Sequence, residues 1–205
     1  MGHRLFLATG NAHKLREFQQ MFAAAFRGSA EWMVDGAEKL GGMPEVEESA
    51  GTFAGNALIK ARALRVRAPA GAWVLADDSG LEVAALGGAP GVRSARYAGP
   101  GAKDGENTAK LLRELAKVPA GQRAARFVCM LALIGPDGAE KIFEGACAGR
   151  IGAELAGGGG FGYDPVFYPE GHTQTYAEIG DEVKNRISHR GRAVEKLVEY
   201  LRAAG

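Results

Sequence analysis

The chain has 205 residues, enough for one domain, in one core or two lobes, without disulfides or structural metals. Twenty-five Lys and Arg against 24 Asp and Glu leave a formal charge of +1, a balance that invites neither nucleic-acid polymers nor acidic membranes as partners. The outlying count is 31 glycines, about twice the ordinary share, which is either loose composition or a set of special backbone positions.

In chain order, Arg4 to Ala8 reads as a short buried strand, and Leu15, Phe18, Phe22 and Phe26 then recur at helical spacing. Glu31 to Val34 gives a second strand before a glycine-rich, acidic stretch that ends at residues 45–51. Thr52 caps a helix with Phe53, Ala57, Ala61 and Leu64 on one face, and Pro69 stops it. Trp73 to Ala76 is a strand running into Asp77, Asp78, Ser79 and Gly80, followed by a long ordered loop too rich in Gly and Pro for regular structure. Asp104 to Lys117 returns to helical periodicity through Leu111, Leu112 and Leu115. Ala125 to Ile134 and Glu140 to Arg150 form a hairpin across Gly135-Pro136-Asp137-Gly138. The last helix is capped by Ser188 and lined by Val194, Leu197, Val198 and Leu201. Crossover helices combined with a hairpin imply an α/β or mixed α+β fold around a mixed sheet.

Cys129 and Cys147 lie in apolar runs without metal-ligand spacing and read as buried free thiols. No run of about 18 apolar residues could span a bilayer, and no signal peptide is evident, so a cytoplasmic protein is expected.

Four segments carry chemistry. Thr9-Gly10-Asn11-Ala12-His13-Lys14 joins a strand to a helix, where unpaired backbone N–H groups, Gly10 and the Lys14 cation suit a phosphate; the same residues also read as a plain cap made by Asn11. Glu45, Glu47, Glu48, Asp77 and Asp78 suit Mg²⁺, which takes one or two carboxylates plus substrate phosphates; a solvated acidic loop and an Asx cap are the alternatives. If the strand continues through Asp77 and Asp78, those two side chains face opposite sides of the sheet. Residues 157–162 match Gly-x-Gly-x-x-Gly, but no apolar strand precedes them and Tyr163-Asp164-Pro165 stands where a helix should begin, which rules out a dinucleotide fingerprint. Phe161 or Tyr163 there suits base stacking or simple core packing, and Asp164 could accept hydrogen bonds from a base. Lys184, His189, Arg190 and Arg192 gather cations near a helix N-terminus, against the macrodipole, so an anion is expected there unless the face is merely solvated.

Taken together, Thr9-Gly10-Asn11 with Lys14, residues 47–53 with Asn56-Ala57, Asp77-Asp78-Ser79-Gly80-Leu81, residues 86–97, Phe161 to Phe167 and Ser188-His189-Arg190-Gly191 resemble the inosine triphosphate pyrophosphatase family, also called Ham1-like, from about residue 5 to 201. The resemblance implies an elongated mixed sheet with flanking helices forming two lobes around a central nucleotide cleft, within a single domain spanning 1–205. It implies Mg²⁺-dependent hydrolysis of ITP, dITP and XTP to the monophosphate and pyrophosphate, by a cytoplasmic homodimer. Carried over by position, Thr9, Gly10, Asn11, Ala12, His13 and Lys14 hold phosphates, Glu47 and Asp78 bind the metal, Asp78 is the proton acceptor, and Ser79 touches substrate. Phe161, Gly162, Tyr163, Asp164, Lys184, His189 and Arg190 contact the base and nucleotide. A Maf-type nucleotide pyrophosphatase and a catalytically silent nucleotide-binding protein are the competing readings. The Phe161 to Pro165 and Ser188 to Gly191 segments speak for the purine family over the first, and the second would need Asp78 or a metal carboxylate to be missing.

Overall fold

The computed structural model describes residues 2–27 and 31–204. Six strands form one sheet: β1 (His3–Leu7), β2 (Trp32–Gly36), β3 (Trp73–Val83), β4 (Ala124–Ile134), β5 (Glu140–Ile151) and β6 (Phe167–Pro169), in the order β2-β1-β3-β4-β5-β6. β1 runs parallel to β2 and to β3, pairing Leu5 with Trp73 and Leu7 with Leu75, whereas β5 and β6 are antiparallel, so the sheet is mixed. The expected hairpin joins β4 and β5: Gly135 N–H donates to Ala139, and Gly138 supplies the positive φ that the turn requires.

Among the described residues, five α-helices accompany the sheet: α1 (Ala12–Ala25), α2 (Phe53–Arg65), α3 (Asp104–Glu114), α4 (Asp181–Ile187) and α5 (His189–Ala204). Their starts follow local chemistry. The Thr52 hydroxyl accepts from Gly55 N–H at 3.1 Å, and the Ser188 hydroxyl accepts from Gly191 N–H at 3.1 Å, each satisfying a donor the helix itself leaves unpaired. α4 and β6 are too short to show a sequence period, and neither is anticipated from the pattern alone.

The chain folds as two compact units. The first comprises Met1–Asp78, Cys129–Glu144 and Ala193–Gly205, the second Ser79–Val128 and Gly145–Arg192. Within the first unit, strand alternation divides the core into two layers. Leu5, Leu7, Leu75, Cys129, Leu131 and Leu133 face Phe18, Met21 and Phe22 of α1 and Val194, Leu197, Val198 and Leu201 of α5. Phe6, Ala8, Val74, Ala76, Ala132 and Ile134 face Ala57, Ala61 and Leu64 of α2, where small residues bring the helix close to the sheet. The second unit packs Leu81, Val83 and Phe127 against Leu111 and Leu115 of α3 and against Tyr163, Phe167 and Tyr176.

One expectation needs correcting. The strand does not end at Ala76; β3 runs unbroken through Asp77, Asp78, Ser79 and Gly80 to Val83. Those four residues have poor strand propensity, but propensity yields to context where buried side chains find partners. The glycine-rich stretch after β3 is ordered, partly as 3-10 turns over Ala84–Leu86 and Gly91–Arg96. Side chains tie it down: the Ser94 hydroxyl accepts from Leu81 N–H and donates to Gly91 O, while Asn107 of α3 accepts from Ala98 N–H and donates to Ala95 O.

Candidate active site

In the first unit, the loop between β1 and α1 is built around Asn11. Its side-chain oxygen accepts from His13 N–H at 2.9 Å and Lys14 N–H at 3.2 Å, and its own N–H donates to the Thr9 hydroxyl. The Asn11 side chain is therefore a helix cap. Gly10, Asn11, Ala12 and His13 are exposed, and a Cβ on Gly10 would meet nothing within 4 Å, so the fold itself does not demand glycine there. Lys14 does not extend into solvent. Its ammonium donates to Asp77 Oδ1 at 2.5 Å, with 16% of the lysine side chain and none of the aspartate's exposed.

Asp77 and Asp78 do face opposite sides of β3. Asp77 continues the Leu75 layer, with Lys14 on Oδ1 and the Cys129 thiol 3.5 Å from Oδ2. Asp78 continues the Ala76 layer and meets α2, whose Lys60 donates to Oδ1 at 2.5 Å. Asp78 Oδ2 is buried without a hydrogen-bond partner. Burial raises the Asp78 pKa above its ordinary value; Lys60 and then Lys14 pull it down without cancelling that rise, and Glu48 adds to it.

Lys60 also lies 3.7 Å from Glu48 Oε1. The acidic loop that carries Glu48 has no regular structure, but buried Asn56 of α2 accepts from Ala50 N–H at 3.0 Å and pins it. Glu47 is exposed, so Glu48 is the glutamate that stands with Lys60 and Asp78. Among the described residues no group of three or more His, Cys, Asp or Glu is arranged to hold a metal. A partnerless buried carboxylate oxygen near one further carboxylate suits Mg²⁺, which keeps waters and substrate phosphates as its remaining ligands.

In the second unit, Asp164 organises the Phe161 to Tyr163 loop. Its Oδ2 accepts from Phe161 N–H at 2.8 Å and from Lys184 Nζ at 2.7 Å, and both charged side chains are about 95% buried. Part of the anion expected among the cations is therefore the protein's own. Gly162 N–H donates to Asp104 Oδ2 and Gly162 O accepts from Thr108. The Phe161 ring is half-buried, with Lys184 Nζ 4.9 Å and Arg190 Cζ 5.8 Å from its centroid. Buried Arg190 donates to the Ser79 hydroxyl at 3.0 Å. His189 stacks on Phe127, centroids 4.7 Å apart and planes within 10°. Tyr163 belongs to the core: its hydroxyl donates to Ser94 O, and burial raises its pKa, so it stays protonated. The Gly-x-Gly-x-x-Gly run is a docking loop: Gly159 N–H donates to Ala177 O, and a Cβ on Gly160 would stand against Asp164 Oδ2.

Sequence reasoning missed Lys60. The signal was present, because a lysine three residues after Ala57 and four before Leu64 borders the apolar stripe of α2. No helix among the described residues is long and apolar enough to cross a membrane.

The sequence matches the Ham1 family over residues 5–200. A protein of Opitutus terrae named dITP/XTP pyrophosphatase is 55% identical over 200 residues, covering 97% of this chain and 98% of that one. One of the same name from Desulforamulus reducens is 47% identical, covering 97% and 95%. Among solved structures, a HAM1 protein from Coxiella burnetii has a TM-score of 0.85 at 40% identity, covering 98% of this chain and 99% of that one. The Ham1 protein of Staphylococcus aureus has a TM-score of 0.83 at 37% identity, covering 98% and 100%. With motifs, fold and sequence in agreement from end to end, the chain belongs to the Ham1 family.

Proposed function

We propose that this protein is a Mg²⁺-dependent nucleoside triphosphate pyrophosphohydrolase that converts dITP, XTP and ITP to the monophosphate and pyrophosphate, removing deaminated purines from the nucleotide pool of the cytoplasm. The observation that carries the reading is Asp78: one oxygen held by Lys60, the other buried and unpartnered. The names of its relatives supply dITP and XTP, and the family resemblance adds ITP.

The exposed head of α1, with Lys14, binds phosphate oxygens. Asp78, with Glu48 better placed than Glu47 beside it, would hold Mg²⁺. When bound, the ion would supply charge neutralisation at the phosphates and lower the barrier to water attack. Lys60 fixes Asp78 Oδ1, so Oδ2 is the atom that orients the attacking water and receives its proton. No covalent intermediate is needed.

Phe161 stacks the base, and Lys184, His189 and Arg190 present donors to it. The backbone donors of Phe161 and Gly162 are committed to Asp164 and Asp104, which narrows recognition of the C6 oxygen to Lys184, His189, Arg190 and Ser79. Adenine carries an amino group at C6 and would set donor against donor, at about 1–3 kcal/mol for each unsatisfied group. Asp164 contributes by holding Lys184 and the loop in place.

The test is incubation with Mg²⁺ and a panel of dITP, XTP, ITP, GTP and ATP, with identification of the phosphate released. Pyrophosphate from the first three is expected; orthophosphate as the primary product, or a preference for ATP, would overturn the reading. Asp78→Asn should lower turnover by roughly 10³-fold with the circular dichroism spectrum unchanged. The family resemblance also supports a homodimer, which sedimentation equilibrium tests directly.

A further inference from the structure

Asp77 is 1% exposed and lies one residue from the proposed proton acceptor, yet on the opposite face of β3. Carboxylates that leave water need a donor for each oxygen. Lys14 serves Oδ1 at 2.5 Å. On the other side, Cys129 of β4 places its sulfur 3.5 Å from Oδ2, in a position that is itself 0% exposed. The terminal torsion of an aspartate is soft, and a lysine stem is flexible, so neither side chain by itself defines where the ammonium sits. A thiol donating to Oδ2 holds the carboxylate in the rotation that offers Oδ1 to Lys14.

We propose that Cys129 is a positioning residue for the phosphate-binding end of the site: its thiol fixes Asp77, and Asp77 fixes Lys14. Cysteine suits the position because it combines a donor with the character of a small apolar side chain, and Cys129 also packs with Leu75, Leu131 and Phe18. A serine would keep the donor, a valine the bulk, and an alanine neither. Holding Lys14 in place before substrate arrives lowers the ordering cost of gripping a phosphate.

The inference rests on the reading of Lys14 as a phosphate contact, and the experiment separates the two. Mg²⁺-pyrophosphate is titrated calorimetrically into the parent, Cys129→Val, Cys129→Ala, Cys129→Ser, Lys14→Met and Lys14→Met/Cys129→Ala, with the melting temperature of each recorded. Cys129→Val and Cys129→Ala should weaken binding about tenfold, while Cys129→Ser stays within roughly threefold of the parent. In the Lys14→Met background, Cys129→Ala should add less than about a twofold change, as expected of residues acting in series. Parent-like binding in both Cys129→Val and Cys129→Ala would overturn the proposal, as would a serine variant no better than alanine, or a tenfold loss persisting without Lys14. Where Cys129→Val fails to fold, Cys129→Ala carries the comparison. Should Lys14→Met bind pyrophosphate like the parent, the reading of Lys14 fails and the inference with it, a result distinct from the failure of Cys129 alone.

Discussion

Lys60 divides its ammonium between two carboxylates, 2.5 Å from Asp78 and 3.7 Å from Glu48. Because burial is the largest influence on Asp78, its carboxyl should titrate above the ordinary aspartate range in the metal-free protein, and Lys60→Met should push it higher, as read by carbon NMR of the labelled side chain. A carboxyl whose folded pKa is raised costs stability while ionised, and that cost disappears as pH falls through the raised value. At this scale the sequence singles out Asp78, Lys14 and Asp164, and each forms an ion pair in the structure. It leaves Lys60 and Cys129 out because their partners are 18 and 52 residues away, and the family resemblance names Glu47 as the metal ligand, whereas Glu48 is the glutamate beside Lys60. It reads Asp164 as an acceptor for the base, whereas Asp164 Oδ2 accepts from Phe161 N–H and Lys184 Nζ within the protein.

Elements with a strong period were legible: α1, α2 and α5 occur with the predicted apolar faces, and the hairpin between β4 and β5 stands where Pro and Gly announce it. The sequence pattern ends the apolar run of β3 at Ala76, because Asp77, Asp78, Ser79 and Gly80 look like a turn when the lysine partners of the two aspartates are out of view. The fully buried Leu64 of α2 gives a direct measure of that helix's packing: Leu64→Ala should cost about 2–5 kcal/mol in urea unfolding, the range for a leucine in a packed core. Gly160 tests the loop differently. Its φ is +71° and an added Cβ would displace the Asp164 carboxylate, so Gly160→Ala should destabilise by about 1–3 kcal/mol and raise KM for dITP more than it lowers kcat. An equal loss in both constants would show that the loop contributes to the chemical step.

Across the whole chain, the passages from one compact unit to the other fall at 78/79, 128/129, 144/145 and 192/193, each inside β3, β4, β5 or α5. No flexible linker marks a boundary, and neither unit is one continuous stretch of sequence. A fragment ending at Asp78 lacks β4, the start of β5 and most of α5, which together complete its core, so it should show no cooperative thermal unfolding. Glycine excess, the first oddity of the composition, has specific causes at Gly138, whose positive φ disfavours a side chain, and at Gly160, where the Asp164 carboxylate also occupies the space a side chain would fill. The unbroken run of β3 also bears on which lengths of chain can survive mutation. One residue inserted between Trp73 and Ala76 would turn Asp77 toward α2 and Asp78 toward α1, exchanging their lysines and leaving every side chain chemically intact. In this stretch the number of residues is therefore as tightly constrained as their identity, and tolerated insertions should be confined to exposed turns such as residues 136–138.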